Sequence, residues 1–144
     1  MSIQIAFEDL LDKLKSVSEL THNGATWVSA SIGGKEIDPT NQKVKRPAVW
    51  ALFVGDQIIS KSSPKSCATM VQSNFVVKLL VDYGTDSNLT SVQLPLIYTI
   101  AGTIAGTQPS GMVGSWWQYD GAVLESVDSA RMVWNLNFSI QFHI

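Results

Sequence analysis

Residues 133–144 read VWNLNFSIQFHI, in which Trp134, Leu136, Phe138, Ile140, Phe142 and Ile144 are apolar and the residues between them, Asn135, Asn137, Ser139, Gln141 and His143, are polar. Successive side chains on a strand point to opposite faces of a sheet, so this period of two predicts a strand with one dry face and one polar face. A slip of one residue would turn all six apolar side chains outward together, so the strand has to be locked in a sheet whose apolar face is covered. The polar row carries no lysine to discourage a second chain from adding. It reads either as a solvated face or as a surface that receives a neighbour.

Two segments have the spacing of covering helices. Phe7, Leu10, Leu11, Leu14 and Val17 recur every three or four residues, with Glu8, Asp9, Asp12, Lys13 and Lys15 on the other side, and Asn23-Gly24 is a stop signal. His22 is then placed at the end of that helix, where a histidine suits the dipole. Val92, Leu96, Ile97, Ile100 and Ile104 repeat the helical spacing. Pro95 has no backbone N–H to give, so this second helix begins near Pro95, or at Leu89 with a kink. The stretch GTQPSGMVG, residues 106–114, ends it either way.

Residues 47–56, PAVWALFVGD, and 73–84, SNFVVKLLVDYG, are short apolar runs rich in Val and Phe, read as central strands and as sheet neighbours. Residues 25–32 form a weaker strand candidate, and two or three strand pieces follow Ser115, punctuated by Asp120-Gly121 and Asp128-Ser129. The order predicts an α+β domain: a mostly antiparallel sheet of about four to six strands with two helices packed on one face. At 144 residues and 45% hydrophobic content, one compact domain spanning 1–144 is expected, burying roughly 70% of the surface its unfolded chain exposes. Residues 33–46 are nearly devoid of apolar side chains and read as a long mobile loop.

The net charge is −2 with 15% charged residues, which fits neither a strongly basic nucleic-acid binder nor a disordered chain. Charge is unevenly spread. Residues 35–78 hold seven basic side chains against three acids, a net +4, and residues 79–144 hold one against five, a net −4. If the two segments also separate in space, head-to-tail contact between copies would bring opposite potentials together. Cys67 is the only cysteine, so a reducing compartment is expected. The opening MSIQIAFEDL has no basic stretch followed by an apolar core, and no run approaches the roughly 20 apolar residues of a membrane span.

Catalytic chemistry is hard to assemble from this sequence. His22, His143 and Cys67 are far apart, so no metal site is expected. There is no nucleophile elbow and no local Cys/His signature. Gly102, Gly106, Gly111 and Gly114 follow a helix instead of opening one and lack a Lys-Ser/Thr ending, which argues against a phosphate cradle. The reading is therefore of a non-enzyme with no catalytic, cofactor or metal residues. Two features suit partners. KVKR, residues 43–46, is a basic run that could meet nucleic acid, an acidic protein rim or only water. Trp116, Trp117 and Tyr119 beside a Gly-rich turn fit an association hot spot equally with an aromatic corner of the core.

An opening amphipathic helix, a loop ending in RPAVWALFVGD, the strand NFVVKLLVDYGTD, a helix finishing near IAGTQPSG, the turn YDGAVLESVD and the aromatic strand MVWNLNFSIQF follow one another along most of the chain. In this order they resemble the tail-terminator (tail-completion) proteins of long-tailed bacteriophages. The resemblance implies a structural virion protein that caps the tail tube as an oligomeric ring, commonly a hexamer. Such a ring stops tube polymerisation and offers its other face to head-completion or connector proteins, at the head-proximal end of a tail assembled in the host cytoplasm. DNA would pass transiently through the lumen, near loop residues such as Lys35, Lys43, Lys45 and Arg46. Trp116, Trp117 and Tyr119 become candidate subunit-interface aromatics. Pro95 and the 33–46 loop depart from the family pattern, so no interface is carried over beyond the loop and the aromatic turn. The alternatives are a neck or connector component without length control, and a small-molecule-binding α+β domain walled by the same aromatics.

Overall fold

The computed structural model describes residues 2–22, 25–26, 28–31, 47–61, 69–82, 89–127 and 131–143. Helix α1 (Ser2–Lys15) leads through a 3-10 turn (Ser18–Leu20) into a small pair of strands, β1 (Thr21–His22) and β2 (Ala25–Thr26). The main sheet comprises β3 (Val28–Ser31), β4 (Ala48–Lys61), β5 (Thr69–Asp82), β6 (Trp117–Val127) and β7 (Arg131–His143) in the order β3-β4-β5-β7-β6. Helix α2 (Leu94–Ile104) lies between β5 and β6 in sequence. Only β3 and β4 are parallel; the other pairs are antiparallel. This is the expected α+β fold with a mostly antiparallel sheet and two helices.

The alternation read over 133–144 is expressed as a strand as far as His143, and Ile144 lies outside the described residues. Met132, Leu136, Phe138, Ile140 and Phe142 are buried in the main core with Ala6, Leu10 and Leu14 of α1 and Leu96, Ile97, Ile100 and Ile104 of α2. β7 does not lie at an edge. It sits between β5 and β6, and its ladder with β5 runs unshifted from Met70↔His143 to Asp82↔Arg131. The readiness of its backbone to accept another chain is therefore met within the fold. β4 and β5 are antiparallel neighbours, as the two apolar runs predict.

Two helix boundaries differ from the sequence reading. α1 stops at Lys15, well before Asn23-Gly24, which lies outside the described residues. The Ser16 hydroxyl donates back to the carbonyl of Lys13 at 2.6 Å, and Val17 takes an extended conformation, the usual competitors of helix propagation. Val17 still reaches the core, and His22 belongs to β1 instead of a helix end. In the second helix both expected starts are realised. A single π-helical turn begins at Leu89, and regular α geometry begins at Leu94 with Pro95 in the first turn. Gln93 at that junction is buried and donates to the carbonyl of Asp82 at 3.0 Å, tying the helix to the end of β5.

Candidate interaction surfaces

A row of four aromatics crosses the sheet beneath the helices. Phe53, Phe75, Phe138 and Tyr119 are successive register partners on β4, β5, β7 and β6. Phe7 of α1 stacks on Phe75 at 5.8 Å, and Trp117 meets Phe75 edge-on at 5.3 Å. The Trp117 indole also donates to Asp9 at 2.9 Å, and Asp9 is ion-paired with Lys13. Trp117 is 1% exposed, so its ring is spent on holding α1 to the sheet. Tyr119 is half-buried against Phe138 at 5.4 Å. Burial, and then the neighbouring Tyr98 phenol, hold its hydroxyl above the usual tyrosine pKa.

Trp116, one residue away, faces the other way in its environment. Residues 107–117 form a closed loop, because Gly106 N–H donates to the Trp117 carbonyl and Trp117 N–H to the Thr107 carbonyl, both at 2.9 Å. Inside it, Gln108 Nε2 donates to the Met112 carbonyl at 2.7 Å, and Pro109 and Met112 are buried. This anchoring leaves Trp116 54% and Val113 93% exposed. A loop with joined ends and its own packing can present apolar side chains without ordering them afresh on contact. Of the three aromatics read from sequence, then, one is bare, one half-buried and one in the core. Lys35, Lys43, Lys45 and Arg46, with the rest of the 33–46 loop, lie outside the described residues.

The face opposite the helices is different in kind. Trp50, Leu80 and Val133 form a separate small apolar cluster there, with Leu52 packed against it. Farther along, Gln141 Nε2 donates to Gln72 at 3.2 Å, Gln72 Nε2 to Asn74 at 3.0 Å, and Asn137 Nδ2 to the Gly121 carbonyl at 3.3 Å. Lys78 reaches past β7 to Glu125 at 2.6 Å. Of the polar row of β7, Asn137 and Gln141 are thus hydrogen-bonded within the chain, whereas the Asn135 side-chain carbonyl oxygen and the Ser139 hydroxyl are buried with no hydrogen-bond partner among the described residues.

Both outer parts of the sheet are irregular. β4 departs from register between Phe53 and Gly55 and between Ile58 and Ser60, and the extra residues Val54 and Ile59 are exposed. β6 departs between Tyr119 and Gly121 and between Leu124 and Ser126, so its extra residues are the acids Asp120 and Glu125. Every residue from Val123 to Val127 is exposed. Sequence reasoning overlooked this surface because a bulge is invisible to a period-two pattern until the partner strand is known. The Asp120-Gly121 pair, read as a turn, was its only sign.

Two open grooves are lined by described residues. One, of about 430 Å³, lies among Met70, the 111–115 segment and residues 141–143; another, of about 420 Å³, lies among Glu19, Pro47, Val92, Pro95 and Thr99. Neither is walled by Trp116, Trp117 or Tyr119. Among the described residues no three His, Cys, Asp or Glu side chains come together to hold a metal ion, and no helix is long and apolar enough to cross a membrane.

No protein-family model and no curated protein matches the sequence. Solved structures do share its fold. One, known only by a sequence identifier, aligns with a TM-score of 0.57 at 11% identity, covering 98% of this chain and 95% of the other. A second is a chain from the virion of a native gene transfer agent particle, with a TM-score of 0.56 at 12% identity, covering 95% of this chain and 93% of the other.

Proposed function

We propose that this chain is a structural, non-enzymatic virion protein of the tail-terminator kind, capping the tail tube as a ring, expected to be a hexamer, and presenting its other side to head-completion or connector proteins. The observation that carries this reading is the near end-to-end sharing of its fold with a chain of a gene transfer agent virion, joined to the order of sequence segments that resembles tail terminators. The anchored loop bearing Val113 and Trp116 and the acidic, exposed outer strand β6 suit a subunit that makes several different contacts at once. On this reading the protein acts by geometry, DNA passes through the ring without being held, and the site of action is the head-proximal end of the tail.

Electron microscopy of tails assembled with and without the protein tests the proposal. Tubes of regulated length with a closed end are expected only in its presence, and unchanged length distributions would count against it. A second reading, a neck or connector component without length control, accords with the same virion neighbour. Separate pull-downs on tube protein and connector protein distinguish the two: the terminator binds tube ends, the neck component only the connector.

A further inference from the structure

We infer that copies of this chain join head to tail by continuing one another's sheet, with residues Gly121–Leu124 of β6 pairing antiparallel to Val28–Ser31 of β3 in the next copy. This deepens the ring reading above by naming the contact that would build it. β3 and β6 are the two outermost strands of the sheet, and each is paired on one side alone among the described residues. An outer strand presents a row of unpaired N–H and C=O groups and templates addition unless charge or proline blocks it. β6 contains neither lysine, arginine nor proline.

Direction, length and face all agree. β4 runs against β5, β5 against β7 and β7 against β6, while β3 runs with β4, so β6 meets the next copy's β3 antiparallel. The two bulges leave Gly121–Leu124 as the regular run in the middle of β6, the same length as β3. Val28 pairs with Val49 and Ala30 with Ala51, both in the helix-side core, whereas Ser29 pairs with Trp50 on the opposite face. On β6, Ala122 packs on the helix-side core and Val123 alternates to the other face. Setting Ser29 opposite Val123 matches every face, and a slip of one residue mismatches all of them.

Charge does not oppose the pairing: β6 carries Asp120 and Glu125, and β3, of sequence VSAS, carries no charged residue to repel them. In the antiparallel pairing Ser31 lies opposite Gly121, and exposed Asp120 lies just past the paired run. Of the two acids of β6, Glu125 is engaged by Lys78 of its own chain.

The test mixes two singly substituted full-length proteins in a Cys67→Ser background, one with Ser29→Cys and one with Val123→Cys, under mild oxidation. Residues directly opposite on paired strands have Cβ atoms about 4.5–5.5 Å apart, near disulfide reach. A mixed disulfide is expected from this pair, and none from Ala30→Cys with Val123→Cys, whose side chains would face opposite sides. A Val123→Cys homodimer, which would signal symmetric edge pairing, or no cross-link at high protein concentration would overturn the inference. A second arm needs no oxidation. Val123→Lys, at an exposed position, puts a lysine into the edge and should keep the thermal melt of the monomer while raising the concentration needed for self-association at least about tenfold; unchanged association would also overturn it. Protein that seals tail tubes but gives no cross-link refutes this contact alone, and protein that cross-links but leaves tube length unchanged refutes the terminator reading alone.

Discussion

The indole Nε1 of Trp117 donates a 2.9 Å hydrogen bond to Oδ2 of Asp9, joining the start of β6 to the middle of α1 across 108 positions of sequence. Asp9 is also the ion-pair partner of Lys13 one helical turn on. One carboxylate thus serves both the helix and its attachment to the sheet. A hydrogen bond to a charged group contributes about 1.5–3 kcal/mol. Trp117→Phe is expected to lower stability by about 2–4 kcal/mol, since it also leaves space beside Phe75. Asp9→Asn should cost less, because the amide oxygen still accepts. A double-mutant cycle of Trp117→Phe with Asp9→Ala, which removes the acceptor, checks this by chemical denaturation: additive effects would show that the bond contributes nothing.

Phe75 is where Phe7, Phe53 and Trp117 converge. Phe75→Ala should cost about 3–5 kcal/mol, the range for a large buried ring. Trp116→Ala, on the anchored loop and half exposed, should change stability by no more than about 0.5 kcal/mol while weakening association. Urea midpoints and sedimentation of both variants separate the two roles.

Glycine to alanine should have opposite signs at two positions. Gly121 has φ +107° at the β6 bulge, and no atom lies within 4 Å of an added Cβ, so the penalty is one of backbone conformation. A loss of about 1 kcal/mol or more is expected there. Gly102 lies inside α2 with ordinary φ and equally open space, so alanine should add about 0.5–1 kcal/mol. Thermal melts of the two variants would move in opposite directions.

Tyr119 gives a signature at alkaline pH. Its folded pKa is raised above 10.0, first by burial and then by Tyr98. As pH rises past about 10 the unfolded chain loses this proton while the folded chain keeps it, so unfolding is favoured. The contribution is full below that point and is lost as pH climbs through the folded value, with a slope of at most about 1.4 kcal/mol per pH unit. Tyr119→Phe has no such proton to lose. Its stability relative to the parent should therefore improve between pH 9 and 11, and a constant difference would refute the assignment.

Much of the site could not be read in advance, for identifiable reasons. Trp116 and Trp117 are chemically alike and adjacent, and nothing local says which is inward. Trp117 is buried because its register partner is Ile140 on the dry face of β7 and because Asp9 waits above it. Asp120 and Glu125 looked like ordinary surface acids until the pairing of β6 with β7 made each the extra residue of a bulge. The end of α1 was misjudged because Ser16 and Val17 stop the helix before the more conspicuous Asn23-Gly24.

The sequence by itself determined periodicity: which faces are dry, that there are two covering helices, that the apolar runs beginning at 47 and 73 become the neighbouring strands β4 and β5, and that β7 alternates in a covered sheet. Only the tertiary structure decided neighbours. It put β7 inside the sheet between β5 and β6, hydrogen-bonded Asn137 and Gln141 of its polar row within the chain, and left β3 and β6 as the outer strands. The physical reason is that burial depends on the repeat of a strand's own side chains, which is local. Which strand fills its hydrogen-bonding edge depends on contacts far apart in the chain, such as Leu80 with Val133 and Trp117 with Ile140, and no local pattern records them.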